Sequence, residues 1–170
     1  CNKCGAGTYQ EETGQTVCVT CTVGGFCPEG VVAPTLCAAG SFSNSEGNTA
    51  QSDCEPCTTG HFCGVGATAP TACATGTFSA STGAKSCTSC DAGTFQGGTG
   101  QTACFTCSTG GYCPIAAASV TLCEAGTFGN RTGQSAASAC FVCPPGAACS
   151  LGATDASPCA AGTVSPAAGA

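Results

Sequence analysis

Cys90-Asp91-Ala92-Gly93-Thr94-Phe95 decides the fold, because the chain writes this phrase six times. The other five are Cys4-Gly-Ala-Gly-Thr-Tyr9, Cys37-Ala-Ala-Gly-Ser-Phe42, Cys73-Ala-Thr-Gly-Thr-Phe78, Cys123-Glu-Ala-Gly-Thr-Phe128 and Cys159-Ala-Ala-Gly-Thr-Val164. In each, a second glycine falls ten residues after the cysteine: Gly14, Gly47, Gly83, Gly100, Gly133 and Gly169. The first glycine suits a turn that needs positive φ. The second suits a hairpin turn that returns the chain to the next cysteine. Between them lies a short strand-like stretch whose aromatic covers the disulfide. The pattern predicts small disulfide-rich modules of short β-hairpins and turns, with little helix, in an elongated tandem array without a single hydrophobic core.

Working outward, a longer period contains the short one. The first ten cysteines stand at 1, 4, 18, 21, 27, 37, 54, 57, 63 and 73; adding 86 to each gives the other ten without insertion or deletion. Cys1–Ser86 and Cys87–Ala170 (1-86 and 87-170) are read as two copies of one long repeat, with sub-modules starting near 4, 37, 73, 90, 123 and 159. The copies are expected to repeat one backbone along a rod. Between some sub-modules sits a smaller Cys-x5-Cys loop: Cys21–Cys27, Cys57–Cys63, Cys107–Cys113 and Cys143–Cys149. Glycine is the third residue inside all four. The last loop lacks an aromatic, which predicts weaker packing there.

Composition gives such a chain no other way to hold together. Twenty cysteines in 170 residues exceed the level that marks a disulfide scaffold. Methionine and tryptophan are absent and there are ten aromatics, so crosslinks must replace buried hydrocarbon. Disulfides persist in oxidising compartments, which places the chain at the cell surface or outside the cell. Three basic against nine acidic residues give a net charge of −6, too few cations for a nucleic-acid partner. No stretch approaches the ~18 consecutive apolar residues of a membrane span. No signal peptide opens the sequence, which is therefore expected to begin inside a longer protein or after processing.

Spacing alone does not fix connectivity. If each Cys-x-x-Gly unit closes onto the next cysteine, the bonds are Cys4–Cys18, Cys37–Cys54, Cys73–Cys87, Cys90–Cys104 and Cys123–Cys140. The small loops close as Cys21–Cys27, Cys57–Cys63, Cys107–Cys113 and Cys143–Cys149. Cys1 and Cys159 are left unpaired, and by the same rule their partners lie beyond the sequence. Each larger loop should contribute roughly 3 kcal/mol through unfolded-chain entropy. Zinc is the rival reading, since Cys1-x2-Cys4 and Cys18-x2-Cys21 approach a zinc-ribbon pattern. It would split the eight small-loop cysteines from any four-ligand set, so neither metal nor cofactor is assigned.

These motifs resemble the ephrin-receptor-like cysteine-rich repeat. They are also similar to the single-disulfide modules of tumour-necrosis-factor-receptor-like domains, where one bond closes the large loop. The resemblance implies fold more than function. In receptors such modules present a ligand-binding face, and in protist and algal surface proteins, mastigoneme subunits among them, they form long tandem arrays. The alanine, glycine and threonine richness with little lysine is closer to the second group.

Few residues suggest chemistry. His61, the only histidine, occupies a loop position that is glycine in two sister loops (Gly25, Gly111) and is read as solvent-facing. Glu11, Glu12, Glu46, Asp53, Glu55, Asp91, Glu124 and Asp155 form no Asp-x-Asp calcium loop. Asn130-Arg131-Thr132 is the only N-glycosylation sequon, and O-glycosylation of Ser and Thr is compatible with the composition. Phe105 and Phe141 fall outside the aromatic register and are read as caps on neighbouring disulfides. The runs Val31-Val32-Ala33 and Ile115-Ala116-Ala117-Ala118 are expected to be exposed apolar patches, covered by glycans or neighbouring chains. The sequence thus predicts no enzyme but a structural component of an extracellular filament, flagellar hair or coat. Its partners are neighbouring copies or other chains of the assembly and covalent glycans. The alternative is the ligand-binding or adhesion ectodomain of a surface receptor.

Overall fold

The computed structural model describes residues 1–169, so Ala170, the end of the second repeat, lies outside the described residues. The described residues form eighteen two-residue strands, paired as nine antiparallel hairpins, and two single turns of 3-10 helix. A lone hairpin is marginal in water. Here each is closed by a disulfide and hydrogen-bonded to the module that follows.

The chain divides into two compact units. The first takes in Cys1–Cys73, Ser79–Cys87 and Gly100–Thr102. Within it, β1 (Thr8–Tyr9) pairs with β2 (Val19–Thr20), β3 (Gly25–Phe26) with β4 (Thr35–Leu36), β5 (Ser41–Phe42) with β6 (Glu55–Pro56), and β7 (His61–Phe62) with β8 (Thr71–Ala72). Its disulfides are Cys4–Cys18, Cys21–Cys27, Cys37–Cys54, Cys57–Cys63 and Cys73–Cys87. The second unit holds Ala74–Phe78, Thr88–Thr99 and the chain from Ala103 onward. There β9 (Thr77–Phe78) pairs with β10 (Thr88–Ser89), β11 (Thr94–Phe95) with β12 (Phe105–Thr106), and β13 (Gly111–Tyr112) with β14 (Thr121–Leu122). Next, β15 (Thr127–Phe128) pairs with β16 (Phe141–Val142), and β17 (Ala147–Ala148) with β18 (Ser157–Pro158). Cys90–Cys104, Cys107–Cys113, Cys123–Cys140 and Cys143–Cys149 close them. β11 to β18 repeat β1 to β8 at an offset of 86 residues, as Thr8 + 86 = Thr94 illustrates.

The four small loops are hairpin modules in their own right, not spacers between six larger units. Each small-loop glycine turns with positive φ like the glycine of the longer units: Gly24, Gly60, Gly110 and Gly146 at +76° to +84°. Strand β3, β7, β13 or β17 follows it directly.

Backbone hydrogen bonds lock neighbouring modules within each unit. In the first unit, Gly7 N–H donates to Cys27 O, Gly24 N–H to Ser43 O and Gly40 N–H to Cys63 O, each at 2.8 Å. The later glycine of each module serves the module before it: Gly47 N–H donates to Cys21 O (2.8 Å) and Gly83 N–H to Cys57 O (2.7 Å). The second unit repeats this with Gly93 to Cys113 O, Gly133 to Cys107 O and Gly152 to Cys123 O, each at 2.8 Å. The second glycine of the sequence phrase is therefore a stacking contact as well as a turn.

The cores are sulfur with one aromatic lid. Phe42 packs on Cys57 and Cys63 with Ala67, and Phe95 on Cys107 and Cys113 with Ala117 and Val120. The aromatic thus covers the disulfide of the following module rather than its own. This explains why Cys143–Cys149 stays buried although its loop has Ala147 and Ala148 in place of glycine and an aromatic. Phe128 of the preceding module covers it, helped by Ala147, Ala153 and Ala156. Packing is still looser there than in the sister loops: Cys149 is 4 % exposed against 0 % for Cys27, Cys63 and Cys113, and a Cβ on Gly146 would meet no neighbouring carbonyl.

Candidate functional site

Among the described residues, no constellation of acid, base and nucleophile assembles around His61. It lies on β7 with Nδ1 3.1 Å from the Thr59 carbonyl and 3.4 Å from Thr58 Oγ1. The carbonyl is an acceptor only, so Nδ1 facing it is the donor. The ring is half-buried rather than fully solvent-facing. Eighteen cysteines are held in disulfides; among the described residues Cys1 and Cys159 are free, the first exposed and the second half-buried. Disulfide sulfur is neither thiolate nucleophile nor ready metal ligand. No helix of the described residues is long and apolar enough to cross a membrane.

Asp53 has the most extensive hydrogen bonding of the acidic side chains among the described residues. Its carboxylate accepts from Thr49 N–H (2.8 Å), Thr49 Oγ1 (3.0 Å) and Ala50 N–H (3.2 Å), pinning the 3-10 turn Gln51–Asp53. Those bonds, first of all the one from the Thr49 backbone, hold its pKa below the ordinary aspartate value. Ala139 stands at the equivalent place in the second copy (53 + 86 = 139) and has no such carboxylate.

Phe105 and Phe141 are cross-strand partners of the register aromatics. Phe105 lies opposite Phe95 with ring centroids 6.1 Å apart, and Phe141 opposite Phe128 at 5.9 Å, both tilted. Such pairs add about 0.5–1.5 kcal/mol beyond area burial. Their outer faces remain in solvent, 62 % and 44 % exposed. Asn130 is exposed, directly after the buried Gly129 and outside any strand, so its amide is accessible to a glycosylating enzyme.

The apolar runs divide. Val32 and Ile115 are exposed, whereas Val31 is half-buried and Ala117 belongs to the Phe95 core, so the runs are not continuous patches. A different set recurs at equivalent exposed places. Val65 is 67 % and Leu151 64 % exposed, and 65 + 86 = 151. Leu36 and Leu122, likewise equivalent and exposed, each lie against the glycine that follows: Leu36 at Gly66, Leu122 at Gly152. Each unit therefore presents a leucine beside an exposed Val or Leu. Periodicity at 86 carried this signal, but alternation within two-residue strands is too short to say which side chains face out.

The second unit also has a cleft of about 210 Å³ between β13, β14 and the 3-10 turn Ala137–Ala139. Tyr112, Leu122, Glu124, Thr127 and Ala137 are among its lining residues.

Residues 76–121 match the family described as tyrosine-protein kinase ephrin type A/B receptor-like. This ephrin-receptor-like stretch runs from β9 to the first residue of β14 and includes the disulfides Cys90–Cys104 and Cys107–Cys113. Its cysteine register recurs through the rest of the chain, which is a cysteine-rich repeat of the same construction. No curated protein matches the chain. Disulfide density and an ephrin-receptor-like module together point to an extracellular or secreted protein.

Proposed function

We propose that this chain is a structural segment of an extracellular assembly, a filament, flagellar hair or coat, rather than an enzyme. The recurrence of exposed Leu36 with Val65 and of Leu122 with Leu151, at one spacing, carries the reading. A single exposed apolar residue needs no explanation; the same pair in each unit gives each one an equivalent association site. Interlocked hairpins with sulfur cores supply stiffness and protease resistance without supplying catalytic groups. Neighbouring copies are the natural partner for such a face, and a glycan at Asn130 would limit association elsewhere.

A second reading has its own support. The family matched by residues 76–121 is described from receptors, and Phe105 and Phe141 offer exposed aromatic faces of the kind that anchor protein ligands. A ligand-binding or adhesion ectodomain would use the same modules to present that surface.

Sedimentation velocity on the segment, secreted from an oxidising host, separates the two. The assembly reading expects concentration-dependent self-association, weakened at least ~10-fold in V65D/L151D, a change of about 1.4 kcal/mol. A wild-type segment that stays monomeric at high concentration and binds a soluble protein one to one would establish the receptor reading instead.

A further inference from the structure

The first unit contains an internal template for the cleft of the second. There the Gln51 side chain reaches across the module: Oε1 accepts the Ala38 N–H at 3.0 Å, and Nε2 donates to Ser41 Oγ at 3.0 Å. Ser41 Oγ in turn donates to the Ala38 carbonyl at 2.8 Å. The equivalent residues 86 later are Glu124, Thr127 and Ala137. Thr127 Oγ1 keeps its bond to the Glu124 carbonyl, at 2.7 Å. Ala137, with a methyl group where Gln51 has a carboxamide, reaches neither the Glu124 N–H nor Thr127 Oγ1. The result is the cleft of about 210 Å³, whose wall also exchanges Phe26 for Tyr112 and Ala38 for Glu124.

Amide recognition is thus built into the backbone of this module, and the second copy leaves it open to solvent. An incoming amide would find the same donor, the Glu124 N–H, for its carbonyl, and the same acceptor, Thr127 Oγ1, for its N–H. The changes from copy 1 add a hydroxyl to the aromatic face, a carboxylate and room for more than a carboxamide. A carboxamide alone would leave Tyr112 and Glu124 unused. Pockets that fix a small ligand combine an apolar wall with a few placed polar groups. Leu122 supplies the apolar wall for a methyl group, Tyr112 a flat amphipathic face for a pyranose ring, and Glu124 an acceptor for hydroxyls.

We propose that this cleft binds an N-acetylhexosamine residue of a glycan, with its acetamido group in the position that Gln51 fills in the first repeat. The cleft shares Leu122 with the proposed association face, but Glu124 and Ala137 are not part of that face, so changes at these two residues test the sugar site separately from the assembly reading.

The test is NMR titration of the chain with methyl N-acetylglucosaminide, with methyl glucoside and acetamide as separate arms. The N-acetyl sugar should bind with a Kd on the order of millimolar and shift Tyr112, Leu122 and Glu124. Neither control should bind within ~10-fold of it. A137Q, which restores the residue of the first repeat and leaves Val65 and Leu151 unchanged, should weaken binding at least ~10-fold with all nine disulfides intact. E124A also copies the first repeat and should weaken it several-fold, which keeps the test valid if A137Q fails to fold. Equal binding of methyl glucoside, binding of acetamide as tight as the sugar, no binding at all, or wild-type affinity in the variants would each overturn the proposal. The acetamide outcome would reassign the cleft to a carboxamide side chain of a protein partner.

Discussion

The carbonyl oxygen of Ala116 occupies the space that a Cβ on Gly76 would need. Gly7, Gly24, Gly40, Gly60, Gly93, Gly110 and Gly126 each meet a glycine carbonyl in the same way, as with Gly47 against Gly7 and Gly133 against Gly93. Ala116 alone among the described residues is a non-glycine with positive φ, at +58°. Its equivalents, Gly30, Gly47, Gly66, Gly83, Gly100, Gly133, Gly152 and Gly169, lie between +67° and +84°.

That exception is measurable. An L-residue in the left-handed region costs about 1–2 kcal/mol, and glycine returns part of the gain through its freer unfolded chain, about 0.5–1 kcal/mol. A116G should therefore stabilise the second unit by roughly 0.5–1 kcal/mol, seen as a higher thermal midpoint. G76A should do the opposite and more strongly, because it combines the φ penalty (+75° at Gly76) with a collision against backbone that cannot rotate away. An A116G variant no more stable than wild type would mean that the left-handed turn at Ala116 carries no strain.

Much of this architecture is legible from the cysteine and glycine positions, because a hairpin of two-residue strands leaves almost no freedom between turn and crosslink. Ten modules, rather than six plus four loops, could have been read from Cys21-Thr22-Val23-Gly24 and its sisters, which repeat Cys-x-x-Gly. Loop length concealed them, since a bond spanning six residues looks unlike one spanning 14 or 17. Which disulfide an aromatic covers was not legible: period gives order along the chain, whereas Phe42 packs on Cys57–Cys63 through stacking of successive modules. The cleft was hidden for a related reason. Ala137 is unremarkable until the hydrogen bonds of Gln51 show what its side chain would have filled.

Asp53 predicts an acid-side loss of stability confined to the first unit. The folded carboxyl titrates below its unfolded value, so it contributes stability at pH values above the ordinary aspartate range. That contribution fades as pH falls through the lowered folded pKa, where both states become protonated. D53N should be less stable than wild type at neutral pH and indistinguishable from it in strong acid, by denaturant unfolding at a series of pH values. A139D, restoring the carboxylate in the second copy, should introduce the same dependence there. A D53N penalty that persists unchanged into strong acid would show that the carboxylate charge is not its cause.

Phe42 offers the sharpest test of how the modules hold together. It is buried against Cys57, Cys63 and Ala67, one module ahead of its own disulfide Cys37–Cys54. Large-to-small truncation of a buried Phe costs about 3–5 kcal/mol in a continuous core. Here the lower end is expected, about 3 kcal/mol, because the core is small and partly collapsible. The loss should fall on the following module: F42A should speed reduction of Cys57–Cys63 more than that of Cys37–Cys54, since the first pair loses its lid. The Cys57–Cys63 loop is short, and its entropic contribution is only about 2 kcal/mol, so the covering ring protects it as much as the crosslink stabilises it. Quenched thiol alkylation and peptide mapping during mild reduction would give the order of opening. If Cys37–Cys54 opened first in F42A and Cys57–Cys63 kept its wild-type rate, the aromatic would serve its own module and the stacking order described for Phe42, Phe95 and Phe128 would be wrong.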